Sequence, residues 1–238
     1  MALPQQSQNL EGLVWQLNDA HAGLDATTVV ESVLTDGPLK GEIALVSSFG
    51  AESALMLHMV ARVDPSTPVV FLETGKHFAE TLDYRDGLIE QFGLSDVRSI
   101  HPELRTLNKY DPEGSLHEAD PDMCCFIRKV TPLDDAMRPF DAWFTGRKRY
   151  QSETRAKLPH FELEAATGRI KVNPLAGWGP EDVEAYRAQH DLPPHPLVAR
   201  NYPSIGCAPC TRPVKPGEDP RAGRWAGMGK TECGIHVR

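Results

Sequence analysis

The five cysteines of this chain divide by spacing into two pairs and a singleton: Cys124–Cys125, Cys207-x-x-Cys210, and Cys233 in Glu232-Cys233-Gly234-Ile235-His236 near the C-terminus. Two tight pairs of thiols have the character of a metal site. Thiolates in this number suit an iron–sulfur cluster, and CxxC is a frequent half-site. Zinc also accepts an all-cysteine shell, but usually as two CxxC pairs, so adjacent cysteines suit it less. Two unrelated buried pairs are the third reading. The remaining thiol lies on a tail that carries Gly223, Gly227, Gly229 and Gly234. It has the character of a nucleophile, for which the thiolate is the reactive form.

The compartment bears on the thiols. The opening MALPQQSQNLEG has neither the basic nor the apolar region of a secretory signal, and no apolar run is long enough to span a membrane. A cytoplasmic protein without membrane association is expected. There, paired cysteines are more often metal ligands or redox thiols than structural disulfides. The net charge of -8 argues against nucleic acid as a partner, so an anionic substrate has to be met by a local basic cluster. With 40% hydrophobic residues in 238, the chain is long and apolar enough to bury a substantial core.

The elements that must position these residues can be read from apolar periodicity. Leu10, Leu13, Val14 and Leu17, then Val29, Val30, Val33 and Leu34, predict one or two amphipathic helices over 10–36. Residues 42–48 read as a short buried strand, Phe49-Gly50-Ala51 as a turn, and 52–62 as a helix. Val69–Leu72 is a second buried strand at a distance that suits a right-handed βαβ crossover. A helix over 77–92, a strand over 97–100 and a further parallel strand over 141–145 continue the alternation. The fold class is therefore α/β, with a mostly parallel sheet flanked by helices and ligands at the carboxyl ends of its strands. Residues 103–122 are polar and turn-rich and read as a loop. Residues 1–193 are taken as one α/β domain with N-terminal helices. Residues 194–238, rich in Pro, Gly and Arg, are taken as an irregular tail packed over the site.

Ser47-Ser48-Phe49-Gly50-Ala51-Glu52-Ser53 lies between strand and helix. Gly50 permits a tight turn and close approach, the helix start offers free N–H groups, and Ser47 and Ser48 add hydroxyls, all suited to an anion. The same pattern also serves as an ordinary turn with a helix cap. Together with Leu72-Glu73-Thr74-Gly75 at the next strand end, it resembles the adenine-nucleotide alpha-hydrolase-like fold of the PP-loop family. That resemblance implies that the two strand ends, Ser47, Ser48 and Gly50 with Glu73, Thr74 and Gly75, hold a nucleotide.

The run Cys124-Cys125-x-x-Arg128-Lys129-x-x-Pro132-Leu133, the downstream CxxC and the terminal ECGIH are, as a set, similar to the iron–sulfur assimilatory adenylyl-sulfate (APS) reductases. These are kin of the phosphoadenylyl-sulfate (PAPS) reductases, and the likeness runs from about residue 42 onward. It implies one [4Fe–4S] cluster on Cys124, Cys125, Cys207 and Cys210, with Lys129 beside it. It further implies Cys233 as catalytic nucleophile, Lys129, Arg155, Arg221 and Arg224 on the phosphosulfate, and His236 near the substrate. Both cysteine pairs being present favours APS over PAPS. The implied partner is thioredoxin or a similar dithiol, and the resemblance allows a homo-oligomer.

The implied reaction is thioredoxin-dependent reduction of adenylyl sulfate to sulfite and AMP through an S-sulfocysteine on Cys233. A PAPS or dual-substrate reductase is the nearest alternative. A PP-loop ATP pyrophosphatase and a zinc-stabilised binding module are more distant ones. The sequence departs from the family pattern at Tyr150, where an acid is usual, at Glu73 for the commoner Asp, and at Ala-Gly-Met-Gly after Arg224-Trp225. Of these, Tyr150 bears on the geometry of the arginine loop. His58, His77, His101, His160, His190 and His195 have no motif context and read as surface or structural residues.

Overall fold

Ile43–Ser47 (β1) and Val69–Leu72 (β2) lie side by side and parallel, with Leu45 opposite Val69. Both are almost wholly buried, as expected where helices cover both faces of a parallel sheet. The computed structural model describes residues 4–230 and 232–236. Val97–Ile100 (β3) extends the sheet beyond β2, and Ala142–Phe144 (β4) pairs with β1 on the other side. Arg169–Val172 (β6) runs parallel to β4, and Phe161–Glu164 (β5) closes that edge antiparallel. The order β3-β2-β1-β4-β6-β5 reverses direction between β1 and β4. In open α/β sheets ligands settle outside the strand ends at such a reversal.

The helices are Pro4–Ala20 (α1), Ala26–Thr35 (α2), Ser53–Val63 (α3), Ala79–Phe92 (α4), Leu104–Tyr110 (α5), Leu116–Ala119 (α6), Pro121–Cys125 (α7), Thr131–Ala136 (α8) and Pro180–Gln189 (α9). Asp25 caps α2 by accepting the Thr27 and Thr28 N–H groups. Gly93 ends α4 in the left-handed conformation, at φ 63°. No helix among the described residues is long and apolar enough to cross a membrane.

Strand alternation divides the core. Leu45, Val69, Phe71 and Phe144 face the larger layer, where α2, α3 and α4 contribute Val29, Val30, Leu55, Met59 and Leu88. Ala44, Val70, Leu72 and Trp143 face a smaller layer with Leu133, Met137 and Phe140, and Ile235 of the tail packs at its margin. From residue 194 onward the described chain forms only short 3-10 turns and one bridge, Thr211 to Arg224. Leu197 and Ile205 cluster with Ala51 of the β1–α3 turn, so this segment lies directly over the reversal.

Two expectations need correction. The polar stretch 103–122 holds α5 and α6 instead of a loop; neither buries a residue, so no apolar stripe announced them. The β5–β6 hairpin and α9 were not anticipated. The hairpin strands carry charges, of which Lys171 and Glu164 are buried as a pair, and α9 buries only Val183 and Tyr186.

Candidate active site

The turn after β1 is built for close approach. Phe49 adopts a positive φ of 46° with its ring fully buried edge-on to Phe71, and its N–H donates to Ser47 Oγ at 3.2 Å. The Gly50 N–H donates to Ser53 Oγ at 2.8 Å. A Cβ on Gly50 would stand 3.2 Å from Ser48 Oγ and 3.3 Å from the Ile205 carbonyl, so the tail segment presses on this turn closely enough to favour glycine. Ser48 remains exposed directly after β1.

This turn forms one wall of a cleft of about 440 Å³ at the carboxyl ends of β1 and β4. Ser47, Ser48 and Gly50 line it on one side, Thr145, Gly146 and Arg147 on another, and the tail supplies Arg221, Arg224, Cys233 and His236. Arg155 and Lys129 also reach it. Arg155 donates through Nε and Nη2 to Glu232 Oε2, at 2.9 and 2.7 Å, and through Nη1 to Gln151 Oε1. Arg221 Nη2 stands 3.6 Å from the other Glu232 oxygen. Arg224 lies over the Trp225 ring at 4.4 Å and donates to the Ile205 carbonyl at 3.2 Å. Its guanidinium rests on Gly206, where a Cβ would come within 2.3 Å of Nη2.

The loop 146–151 is tied down by Glu52, which accepts from Lys148 Nζ at 2.7 Å, Tyr150 Oη at 2.8 Å and Gln151 Nε2 at 3.0 Å. Tyr150, the departure from the family pattern, thus donates to an acid instead of supplying one. Its hydroxyl is pushed above the ordinary tyrosine pKa by burial and by Glu52.

Beside the cleft, Cys124, Cys125, Cys207 and Cys210 line a small cavity with Lys129, Arg128 and Arg224. All four thiols are buried and unpaired. Cys124 and Cys125 end α7 in regular helical geometry, and a π turn, Phe126–Val130, follows directly. Such widened turns recur at functional sites. Here the turn carries Arg128, buried on Asp111 at 2.5 Å and on the Thr74 carbonyl at 2.7 Å, and Lys129, which lines both cavity and cleft. Cys207 lies 3.3 Å from Thr74 Oγ1, and the Ala208 N–H donates to the Lys76 carbonyl at 2.7 Å.

The electrostatics favour a thiolate on Cys233. Its pKa is held well below the thiol value, first by a hydrogen bond from Cys125; burial opposes this, while Lys129, the Ile235 N–H and Arg224 reinforce it. Burial pushes the Cys124 and Cys210 thiols up, as happens to any unmetallated thiol out of water. Burial also opposes the Lys129 charge, yet the neighbouring sulfurs of Cys207, Cys233 and Cys125 outweigh it and raise its pKa. His236 is held neutral, its pKa lowered by burial and then by Arg147, Arg155, Lys171 and Arg221. Its ring stacks on Trp143 at 5.8 Å and 9°.

The structure brings Ser47, Ser48, Gly50, Lys129, Arg155, Arg221, Arg224, Cys233 and His236 onto one cleft. Glu73, Thr74 and Gly75 are not among its lining residues. The Gly75 N–H donates to Glu73 Oε1, and Thr74 turns to Cys207, so this turn buttresses the cysteine site. Sequence reasoning passed over Glu232, Glu52 and Trp143. Glu232 was visible beside the nucleophile, but its partners lie 77 residues away at Arg155. Trp143 read simply as strand core.

The donor set fits an iron–sulfur cluster: four unpaired, buried thiols face one cavity, with cations to offset their charge. No group of three or more His, Cys, Asp and Glu among the described residues is placed to hold a single metal ion.

The model of the phosphoadenosine phosphosulfate reductase domain matches residues 42–213. An adenosine 5'-phosphosulfate reductase of Chelativorans sp. is 54% identical over 222 residues, covering 93% of this chain and 90% of that protein. One from Streptomyces coelicolor is 40% identical over 99% of this chain and 100% of its own length. A phosphoadenosine 5'-phosphosulfate reductase of Gloeobacter violaceus is 43% identical, covering 82% and 83%. Among solved structures, the phosphoadenylyl-sulfate (PAPS) reductase of Candida auris superposes with TM-score 0.73 at 25% identity, covering 89% of this chain and 99% of that one. Yeast FAD synthetase shares the fold at TM-score 0.53 and 14% identity, over 87% and 76% of the two chains. With its strand ends, cleft and tail thiol laid out as described, this chain belongs to the phosphoadenosine phosphosulfate reductase domain family.

Proposed function

We propose that the protein reduces adenylyl sulfate to sulfite and AMP, with Cys233 as nucleophile and thioredoxin or a similar dithiol as reductant. The observation that carries this reading is the placement of Cys233, under cationic influence from Lys129 and Arg224, on the same cleft as Arg155, Arg221 and the Ser47–Gly50 turn. The relatives named adenosine 5'-phosphosulfate reductase support this choice of substrate.

In this reading the cleft holds the nucleotide along the β1 turn, and guanidinium groups meet the phosphosulfate oxygens. The Cys233 thiolate attacks sulfur; the S–S bond forms as the bond from sulfur to the phosphate oxygen breaks, and AMP leaves with the electron pair. A reduced dithiol then attacks Cys233 Sγ and sulfite departs. Its second thiol resolves the mixed disulfide, so Cys233 returns as a thiol and the two electrons come from the dithiol. His236, neutral and stacked on Trp143, holds the tail end in place without adding charge. Cys124, Cys125, Cys207 and Cys210 would hold a [4Fe–4S] cluster, whose iron would offset part of the thiolate charge and whose bonds would tie α7 to the CxxC segment beside the cleft. A Cys125 bound to iron has no proton to give Cys233, leaving Lys129, Arg224 and the Ile235 N–H to stabilise the thiolate. Such a cycle suits a reducing cytoplasm.

The test is sulfite release by anaerobically purified protein with reduced thioredoxin, from APS and from PAPS, wild type against Cys233→Ser. Sulfite from APS that disappears in the variant is the expected result. Release from PAPS alone would reassign the substrate, in line with the Gloeobacter relative's name. No sulfite from either, with iron retained, would overturn the proposal.

A further inference from the structure

The two arginines best placed for an anion already hold one. Glu232 Oε2 accepts two bonds from Arg155, its Oε1 faces Arg221 at 3.6 Å, and Oε1 also accepts the Cys233 N–H at 2.9 Å. The Arg155 and Glu232 side chains are only 8% and 10% exposed. We propose that Glu232 is a positioning residue that holds the place of the substrate's anion on Arg155 and Arg221, and that the arriving phosphosulfate displaces it and thereby frees the segment carrying Cys233. The inference rests on the phosphosulfate reading of the cleft given above.

A guanidinium fork binds a carboxylate and a phosphate in the same bidentate way, so the two compete for one set of donors. A buried arginine cannot be left unpaired without a large penalty, which makes exchange of anions cheaper than simple loss of Glu232. Glu232 adjoins the nucleophile, so its departure removes the carboxylate that now holds the Cys233 N–H. Beyond Glu232, Ile235 packs on the apolar layer and His236 stacks on Trp143, and neither competes with an anion; ahead of it, Lys230 pairs with Asp122. Among these contacts, only that of Glu232 competes directly with the arriving anion for Arg155. The free enzyme keeps its thiol held beside Glu232, and the bound enzyme frees it to turn to the sulfur it attacks.

The experiment uses the cluster-bearing protein and inorganic sulfate as the probe, measured by equilibrium dialysis for wild type and Glu232→Gln. The variant keeps shape and hydrogen bonding but loses the competing charge, and sulfate should bind on the order of tenfold tighter. Sulfate affinity that is unchanged or weaker would overturn the proposal. A second measurement needs no variant: alkylation of Cys233 by iodoacetamide, located by peptide mass spectrometry, should quicken with AMP and not with adenosine. Equal rates with the two ligands would count against it. Sulfite release from adenylyl sulfate is followed in parallel. Tighter sulfate binding without sulfite formation would keep the anion exchange and remove the reductase reading; the reverse pattern would keep the reductase and remove the role of Glu232.

Discussion

The Thr74 hydroxyl stands 3.3 Å from the Cys207 sulfur, so the carboxyl end of β2 is joined to the cysteine site. The link is reinforced by Arg128, which binds the Thr74 carbonyl with one nitrogen and Asp111 with two others. Sheet, π turn and CxxC segment therefore meet at one buried residue, Thr74. The neighbouring strand end, at Ser47 and Ser48, faces the cleft instead. The adjacent ends of β1 and β2 thus differ: Ser47 and Ser48 line the cleft, whereas Thr74 turns to Cys207.

Thr74→Val tests that division. The variant keeps the shape of the side chain and deletes the hydroxyl opposite Cys207. Partners of this kind typically cost about 10–100-fold in metal affinity when removed. The proposed cluster should lose iron to a chelator faster by a factor in that range, with the far-ultraviolet circular dichroism unchanged. Iron retention equal to wild type would mean that Cys207 does not depend on Thr74.

How much of this was legible in the sequence follows from what each residue is buried against. β1 and β2 announced themselves because parallel strands covered on both faces are continuous apolar runs. The β5–β6 hairpin did not, because Lys171 and Glu164 neutralise each other inside it and look like surface residues when read singly. The cysteine pairs were legible because the spacing within each pair is local. The ion pair of Glu232 with Arg155 was not, since only the folded tail brings those residues together. Glu73, Thr74 and Gly75 were read by analogy as nucleotide ligands, whereas the direction of Thr74 is set by Cys207, far along the chain.

The Lys171–Glu164 pair gives a second prediction. The two atoms are 2.8 Å apart, the side chains are 1% and 0% exposed, and Lys171 Nζ lies 5.4 Å from the Trp143 ring centre. Removing one charge strands the other, at a cost of roughly 3–5 kcal/mol. Glu164→Gln should lower the urea midpoint accordingly. The double replacement Lys171→Met with Glu164→Leu should recover most of the loss, because it removes both desolvated charges. A single variant as stable as wild type would refute the burial argument.

Tyr150→Phe addresses the departure from the family pattern. The side chain is 42% exposed and gives up one hydrogen bond to Glu52, which retains Lys148 and Gln151. The expected loss is about 0.5–1.5 kcal/mol of stability. Sulfate binding, measured as above, should stay within about twofold, since that difference corresponds to well under 1.4 kcal/mol. A large drop in sulfate affinity would show that the Tyr150–Glu52 contact, and not the arginines alone, shapes the anion site.

The last prediction concerns acid. His195 is fully buried; its Nδ1 accepts the Leu197 N–H at 3.1 Å, so its proton sits on Nε2 and is donated to Thr81 Oγ1, also at 3.1 Å. Protonating Nδ1 would set two donors against each other. Burial lowers the His195 pKa from 6.5 to about 4, and burial followed by His190 and Arg62 lowers that of His58 to about 4. In the unfolded chain both histidines titrate near ~6.5, so between that value and about 4 the unfolded state binds more protons than the folded one. Their contribution to stability is whole above about pH 6.5 and declines as the pH falls toward about 4. Urea midpoints measured across that window should fall with acidification. They should fall less steeply in His195→Gln, which cannot take up the proton, although that variant starts from a lower midpoint at neutral pH. Parallel slopes for the two proteins would mean that His195 does not carry the acid sensitivity.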